Sequence, residues 1–391
     1  MNANPQLRSG LTALSNPTLR IALVAPPAEP VPPPGYGGTE RVIAELAREL
    51  TSRGHDVTLF ASGDSDVPCA LVPTVPRALR PANEMESEEA RTITTILDVA
   101  RQADRFDLIH AHLEWYNPLL AAFAGVPTAM TFHGRLDFPF APHVLSYAPR
   151  GLVAISAAQM AAHDSIPWEG VVHNGLDLSR SQFETKRSDA LCFVGRIAPE
   201  KGAVDAIEIA RRTGRPLRIA AKKGVTPKEV DYFESVFEPA LEGADVEYLG
   251  ELSSPDRDKL LSESYASLMP GSWPEPFGLV AIESLACGTP VICRRVGALP
   301  EIVREGVDGY FGDDATAMAF RVGQVDNLDR KAIRESVINR FSAKRMTDGY
   351  EKIYAALLED RPGMEASRAA GVAAGASPAI PGSLSPGRPA S

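Results

Sequence analysis

The amino-acid sequence predicts an α/β protein with two doubly wound domains, each built on a parallel sheet. The chain has 391 residues, enough for two domains of ordinary size. Short β-branched runs alternate with amphipathic helical stretches, which is typical of parallel sheets covered by helices on both faces. The alternation stops over the polar stretch 179–189 and then restarts. We therefore expect two sheets rather than one very wide sheet.

The first half opens with a predicted strand over 19–25 and a loop rich in proline and glycine over 32–38. A helix is predicted over 39–53, because its apolar residues repeat at helical spacing and Gly54 follows directly. Apolar runs predict further strands at 57–60, 108–110, 128–132 and 152–155.

The second half repeats this pattern. Strands are predicted at 191–194, 217–221, 246–249, 266–269 and 291–293. Helices are predicted between them at 202–212, 227–239, 255–264 and 279–287. A final amphipathic helix covers 342–359, with an apolar stripe from Met346 to Leu357.

These elements divide the chain into six segments. They are a flexible N-terminus (1–18), a first domain (19–178), a linker (179–189), a second domain (190–341), a helix (342–359) and a tail (360–391). The tail is rich in proline, glycine, alanine and serine and lacks the apolar residues of a packed core. We expect it to be disordered.

Composition and charge exclude several classes of function. The formal net charge of −10 argues against nonspecific nucleic-acid binding. No apolar run is long enough to span a membrane, and the N-terminus lacks the apolar core of a signal peptide. No polybasic block marks a membrane anchor, although a peripheral contact built from distant residues would leave no mark in the sequence. The four cysteines show no CxxC spacing, so we expect reduced thiols and a cytoplasmic setting.

Two glutamates flank a predicted helix start in the second domain. Glu275 lies in a proline-rich loop, and Glu283 lies eight positions further on, about one turn inside the helix. Free backbone N–H groups at a helix start favour an anion or a sugar oxygen. The pair therefore suits a ligand with many hydroxyl groups and a phosphate. Two solvated glutamates at a helix start are the alternative explanation.

Other notable residues follow the carboxyl ends of predicted strands, where ligands bind in open α/β sheets. Gly37 and Gly38 open a helix as phosphate-binding loops do, although the sequence matches neither GxGxxG nor the P-loop. His110, His112 and His133 end two other strands. A hydrogen-bonded structural role is the common one for such histidines, and no carboxylate or thiol spacing completes a metal site around them.

Arg196 and Lys201 lie on one predicted strand-to-helix turn. The planar fork of arginine and the point charge of lysine together suit a pyrophosphate. Two solvated cations near Glu200 are the alternative explanation.

Together these motifs resemble the retaining GT-B glycosyltransferases of family 4, which take an activated sugar from a nucleotide. The resemblance covers roughly residues 19–358 and is strong because the motifs occur in the expected order. They lie at 35–38, 53–57, 107–112, 131–134, 173–177, 195–202, 275–283, 288–291 and 297–301.

The resemblance implies a GT-B architecture, with the acceptor on the first domain, the sugar nucleotide on the second and the reaction in the cleft between them. The last helix would cross back to the first domain. Arg196 and Lys201 match the residues that hold the diphosphate, and Glu283 matches the carboxylate that grips the ribose. Glu275 matches the residue that binds the transferred sugar, and His133 matches the histidine near the reacting carbon.

The resemblance also assigns the remaining donor contacts. Gly37 and Gly38 would close over the diphosphate, and Leu252 lies in a turn near the nucleotide base. The amides of Phe277, Gly278 and Leu279 would bind the sugar and the distal phosphate.

The implied chemistry is transfer of a hexose-type sugar from a nucleoside diphosphate to an unknown acceptor, with no cofactor. No DxD-type cluster is present, and fixed cations with helix starts can replace a metal ion, so we expect metal independence. Same-face attack, in which the leaving phosphate oxygen takes the acceptor proton, would retain the configuration.

Two other functions stay open from the residues. A nucleotide-sugar epimerase shares this fold but needs an acid/base set that is not evident around His133. A nicotinamide-dependent oxidoreductase is disfavoured, because no GxGxxG follows a strand. The sequence departs from the family at Lys222 and Lys223, where a glycine-rich turn is usual. Either the loop differs in shape, or the two lysines add charge near the diphosphate.

Overall fold

The structure is a computed structural model that describes residues 18–359 apart from Tyr36 and Pro149. The predicted disordered tail (360–391) lies outside the described residues, as does the predicted flexible start except for Thr18. Within the described part of the chain, every helix is too short or too polar to cross a lipid bilayer.

The first domain contains a seven-stranded parallel sheet with the order β3-β2-β1-β4-β5-β6-β7. Its strands are β1 (Arg20–Val24), β2 (Asp56–Ser62), β3 (Ala70–Val75), β4 (Leu108–Ala111), β5 (Thr128–Thr131), β6 (Leu152–Ala154) and β7 (Trp168–Val171). The helices of this domain are α1 (Gly38–Ser52), α2 (Leu79–Ala82), α3 (Glu88–Ala100), α4 (Asn117–Ala124), α5 (Ala141–Leu145) and α6 (Ala157–Met160).

The second domain contains a six-stranded parallel sheet with the order β10-β9-β8-β11-β12-β13. Its strands are β8 (Leu191–Ile197), β9 (Leu217–Lys223), β10 (Val246–Gly250), β11 (Ser267–Met269), β12 (Val291–Cys293) and β13 (Gly309–Phe311). The helices are α7 (Ala203–Thr213), α8 (Pro227–Tyr232), α9 (Glu238–Leu241), α10 (Ser254–Glu263), α11 (Leu279–Ala286), α12 (Leu299–Ile302), α13 (Ala315–Val322), α14 (Arg330–Arg340) and α15 (Ala343–Glu359). A π-helical segment, Phe233–Phe237, joins α8 to α9.

The prediction of two parallel sheets is confirmed, and all ten predicted strands are present. Three further strands, β3, β7 and β13, were not predicted. All three lie at the edges of their sheets. An edge strand keeps contact with solvent and lacks the continuous apolar run of a central strand. The side chains of β7, for example, are only partly buried.

The last helix, α15, crosses back to the first domain, as the resemblance implied. Its buried tyrosines reach the centre of the first sheet, where the Tyr354 hydroxyl is 2.7 Å from His110 Nδ1. The Tyr350 hydroxyl lies 3.1 Å from the Thr131 hydroxyl. At the surface Glu351 pairs with Arg53 at 2.6 Å, just after α1 ends. Burial and paired polar groups therefore fix this helix to the first domain.

The order of the strands places the ligand cleft. In each sheet successive strands are added first to one side and then to the other. The order changes between β1 and β4 in the first domain and between β8 and β11 in the second. Loops that leave the carboxyl ends of strands diverge at such a point and leave a crevice. The loop after β1 leads to Gly37, and the end of β8 carries Arg196. The two switch points thus supply the two sides of one cleft.

Candidate functional site

A cavity of about 550 Å³ lies between the two domains. Every site residue predicted from the sequence contributes to its lining: Gly37, Gly38, His133, Arg196, Lys201, Leu252, Glu275, Phe277, Gly278, Leu279 and Glu283. We call the part of the lining formed by Gly37, Gly38, Glu40 and His133 the first-domain wall. The part formed by Arg196, Lys201, Glu275, Glu283 and the start of α11 is the second-domain wall.

The glycine loop brings the two walls into contact. A Cβ atom on Gly38 would lie 3.1 Å from Leu279 Cδ1 in the second domain. A Cβ atom on Gly37 would lie 2.7 Å from Pro33 Cγ. Side chains at these two positions would therefore push the loop away from its neighbours, which explains why the helix start carries glycines.

The start of α11 presents unused backbone donors to the cavity. Gly278 precedes the helix with a φ of 111°, a conformation that favours glycine. In the part of the chain that the structure describes, the amides of Phe277, Gly278 and Leu279 donate no hydrogen bond. A helix start with free N–H groups favours a negatively charged or oxygen-rich group.

The cations of the second-domain wall are held by carboxylates. Arg196 is 3.1 Å from Glu200 and also pairs with Glu229, which caps α8. Lys201 pairs with Glu275. Both cations are therefore ion-paired and partly exposed, with Glu200 beside Arg196 as the alternative explanation expected.

Lys222 and Lys223 lie on β9, which runs two residues further than predicted, and both line the cavity. Lys222 Nζ is 3.8 Å from Glu251 Oε2. The departure from the family pattern therefore places two extra cations at the cavity. Leu252, expected near the base, follows the end of β10 on the same side.

Glu283 is buried, with an exposure of 3%, and faces two arginines. Arg257 on α10 lies 3.1 Å away, and Arg41 pairs with the same carboxylate from α1 of the other domain. Burial by itself would raise the pKa of this carboxyl, but the two guanidinium groups hold the pKa below its usual range. The alternative of a solvated glutamate is wrong for Glu283. Arg41 was not predicted, because no local pattern shows that it bridges two domains.

His133 follows β5 and is half-buried where it lines the cavity. Its Nε2 atom lies 3.0 Å from His112 Nδ1. Burial lowers the pKa of His133 to about 4, so the ring is neutral at pH 7. His110, which does not line the cavity, bonds Thr131 at 2.8 Å, and burial lowers its pKa to about 3. The histidine that faces the cavity is therefore a neutral imidazole at pH 7.

Two glutamates of the first domain were also missed by sequence reasoning. Glu114 accepts hydrogen bonds from the amides of His133 and Gly134, at 2.9 and 3.2 Å, and so fixes the turn after β5. Glu40 lies in the first turn of α1 and lines the cavity. Burial raises the pKa of each carboxyl to about 7. An acidic residue in a first helical turn is ordinary, so the sequence gives no signal of its burial.

Among the described residues, no group of three or more acidic, histidine or cysteine side chains is arranged to hold a metal ion.

Two facing doubly wound domains, with a cavity at their switch points and a last helix that returns to the first domain, define the GT-B class of glycosyltransferases. Family models locate the chain within that class. The model for Glycosyltransferase Family 4 matches residues 36–180, and the model for Glycosyl transferases group 1 matches residues 177–332. The chain belongs to the group 1 glycosyltransferases of the GT-B type.

Similar proteins agree with this assignment. A D-inositol 3-phosphate glycosyltransferase of Acidothermus cellulolyticus is 27% identical, over 88% of this chain and 91% of the relative. An alpha-maltose-1-phosphate synthase of Mycobacterium tuberculosis is 26% identical, over 79% of this chain and 89% of the relative. The solved structure of Anabaena HepE in complex with UDP-glucose shares the fold, with a TM-score of 0.67 at 17% identity over 86% of this chain and all of the neighbour. The epimerase and oxidoreductase alternatives lose their support.

Proposed function

We propose that this glycosyltransferase moves a hexose-type sugar from a nucleoside diphosphate to an acceptor, with retention of configuration and without a metal ion. The observation that carries the proposal is the convergence of two helix starts and two cations on one cavity. The starts of α1 and α11 come from opposite domains, and Arg196 and Lys201 lie beside them. Such a set is suited to a diphosphate. The fold neighbour HepE was solved with UDP-glucose, which supports the same ligand class here.

The donor would lie along the second-domain wall. Arg196 and Lys201 would hold the diphosphate, and Glu283 would accept hydrogen bonds from the ribose hydroxyls. Leu252 would contact the base at the far end of the cavity. Glu275 and the free amides of α11 would hold the sugar, which places the reacting carbon toward the first-domain wall.

The reaction would proceed on one face of the sugar. As the bond from the sugar carbon to the phosphate oxygen breaks, negative charge grows on the leaving diphosphate and positive charge grows on the ring. Arg196, Lys201 and the helix starts would stabilise the first charge. The leaving oxygen would take the proton of the acceptor hydroxyl as that hydroxyl bonds to the same face. The Glu275 carboxylate pairs with Lys201. This scheme needs no carboxylate as a nucleophile.

His133 would stay neutral in this scheme. A buried imidazole with a pKa of about 4 can donate or accept a hydrogen bond at a sugar hydroxyl without adding a charge. Its contact with His112 fixes the ring through Nε2, which leaves Nδ1 for the substrate.

A panel of UDP-, GDP- and ADP-sugars tests the donor class. We expect one nucleoside diphosphate to raise the melting temperature and to bind in calorimetry. The anomeric configuration of the product, read by NMR, then tests retention. A panel without any ligand that binds would contradict the proposed function.

Metal independence has its own test. Nucleoside diphosphate release should continue at the same rate in excess EDTA, because protein cations neutralise the leaving group. Loss of activity in EDTA, restored by Mg²⁺ or Mn²⁺, would show that a metal ion supplies this charge. A metal-dependent glycosyltransferase assayed in parallel confirms that the chelator is effective.

A further inference from the structure

Two buried carboxyl groups line the first-domain side of the cavity, and a third, partly buried one lies nearby. Glu29 and Glu40 both line the cavity, with exposures of 8% and 6%. Glu114 lies behind His133 and is bonded to the turn that carries it. None of these three residues has a role in the proposed donor site.

The cations on this side are already paired. Arg80 lies 2.6 Å from Glu29. Arg41 pairs with Glu283 of the second domain. Over the described residues, Glu40 forms no ion pair at all. The ionised form of a buried carboxyl is costly when no cation lies beside it. Such carboxyl groups cluster at sites that bind a ligand.

Glu40 lies next to the glycine loop, on the first-domain side of the cavity. Its Oε2 atom lies 3.1 Å from the position that a Cβ atom on Gly37 would take. Its electrostatic neighbours are Glu29, Arg80 and Glu114. Glu114 holds the His133 turn, so Glu40 and His133 belong to the same part of the wall.

We propose that Glu40 binds a hydroxyl group of the acceptor, and that the acceptor is an uncharged polyol or saccharide rather than a phosphorylated one. This inference rests on the proposed function, which places the donor on the opposite wall. A phosphate beside Glu40 would draw Arg80 or Arg41 away from a buried carboxyl, Glu29 or Glu283, whereas the carboxylate partners of Arg196 and Lys201 are only partly buried. Taking a counter-charge from a buried carboxylate is costly. The chain would thus differ from its relative that is named for D-inositol 3-phosphate.

The carboxyl can recognise a hydroxyl in either protonation state. Burial, together with the charges of Glu29 and Glu114, raises the pKa of Glu40 to about 7, against the opposing effects of its own backbone amide and Arg80. Below that pH the acid donates a hydrogen bond to the hydroxyl oxygen. Above it the carboxylate accepts a stronger, charge-assisted hydrogen bond from the hydroxyl. Acceptor affinity should therefore rise between pH 6 and pH 8.

The first experiment compares matched acceptors with a donor that binds. Release of nucleoside diphosphate is measured with glucose and glucose 6-phosphate, and with myo-inositol and its 1-phosphate. We expect an uncharged acceptor to accelerate release over the rate to water, and its phosphate ester to give at most about a tenth of that effect. Preference for an ester, or no acceleration by any uncharged acceptor, would overturn the inference. Failure of every donor to bind would instead contradict the proposed function.

The second experiment uses Glu40→Gln, which keeps the size of the side chain. At pH 8 the KM for the uncharged acceptor should rise about tenfold, the loss expected for one charge-assisted hydrogen bond. The rise of acceptor affinity between pH 6 and pH 8 should disappear, while the Kd of the nucleoside diphosphate stays within twofold. Glu45→Gln is the matched control, because Glu45 is on the same helix but outside this cavity. An unchanged KM and pH profile in Glu40→Gln, or equal effects in the control, would remove Glu40 from the acceptor site.

Discussion

The two walls of the cavity differ in how their titratable side chains are stabilised, by ion pairing on one wall and by burial in the neutral form on the other. On the second-domain wall the cations are paired with carboxylates, as in Arg196 with Glu229 and Lys201 with Glu275. On the first-domain wall, and at Glu114 behind it, burial shifts the pKa values of His133, Glu40 and Glu114 toward their neutral forms. Both walls are built around the same cavity, so the difference comes from the side chains rather than from the fold.

This contrast follows from what each wall is proposed to meet. A diphosphate carries charge that must be matched by fixed cations, and ion pairs keep those cations in place until it arrives. A hydroxyl nucleophile and a sugar ring carry little charge, and neutral groups in a dry wall recognise them by hydrogen bonds. Four measurements test or sharpen this comparison, and the largest expected effect comes first.

Glu283→Gln should affect both folding and donor binding. Its buried carboxylate faces Arg41 and Arg257, so the change removes the counter-charge of Arg41, while Arg257 keeps its pair with Asp258. We expect the free energy of unfolding to fall by roughly 3 kcal/mol, the low end for a broken buried pair, because both arginines keep some contact with solvent. Nucleoside diphosphate affinity should fall as well. Urea unfolding and calorimetry measure the two effects.

Glu275→Gln is the matched variant in the same element. Its partner Lys201 is partly exposed, so stability should change by less than about 1 kcal/mol. Nucleoside diphosphate affinity should stay nearly intact, while kcat and kcat/KM with the intact donor fall together. Equal losses of diphosphate affinity in both variants would refute the division between a ribose glutamate and a sugar glutamate.

The first-domain wall should make stability depend on pH in two opposite directions. His133 has a pKa lowered from 6.5 to about 4, so its contribution is present above pH 6.5 and is lost as the pH falls toward 4. This loss amounts to about 3 kcal/mol. Glu114 has a pKa raised from 4.5 to about 7, so its contribution is present below pH 4.5 and is lost as the pH rises through 7. The loss of the Glu114 contribution is similar in size to that of His133.

Urea unfolding of wild type, His133→Asn and Glu114→Gln from pH 4 to pH 8 separates these effects. The difference between wild type and His133→Asn should shrink as the pH falls, and the difference between wild type and Glu114→Gln should shrink as the pH rises. His143→Asn is the control, because His143 is exposed and lies outside the cavity. If the free energy of unfolding depends on pH in the same way in wild type and in all variants, then His133 and Glu114 have ordinary pKa values in the folded protein.

Arg196→Ala tests the second-domain wall through donor binding. The affinity for nucleoside diphosphate should fall by roughly 1.5–3 kcal/mol, the range for a hydrogen bond to a charged group. Arg218→Ala is the control, because Arg218 belongs to the same domain but does not line the cavity. Calorimetry measures both. Binding that is unchanged within error in Arg196→Ala would remove the proposed diphosphate clamp.

The predictable part of the site is the part that local sequence controls. Gly37, Glu275 and Gly278 lie in loops between strands and helices, and Arg196 lies near the end of β8, so the strand–helix alternation gives their position directly. In a doubly wound sheet the carboxyl ends of strands share one edge, so residues at those ends meet whatever their separation along the chain. All eleven predicted residues therefore line one cavity.

The unpredicted part depends on long-range packing. The edge strands β3, β7 and β13 are short or only partly buried, so their pairing is decided by neighbours in the sheet. The raised pKa of Glu40 depends on the helices and loops that cover it, and no nearby residue in the sequence indicates that burial.

By itself, the sequence determined the two sheets, the last helix and the edge where a ligand would bind, because hydrophobic periodicity and turn residues act over a few positions. The return of that helix to the first domain was implied by the family resemblance. Only the tertiary structure decided which charges are paired and which groups stay neutral. Arg41 meets Glu283 across 242 positions of chain because two domains close on each other. Burial and pairing are sums over the whole surroundings of a group, and those surroundings exist only once the chain has folded.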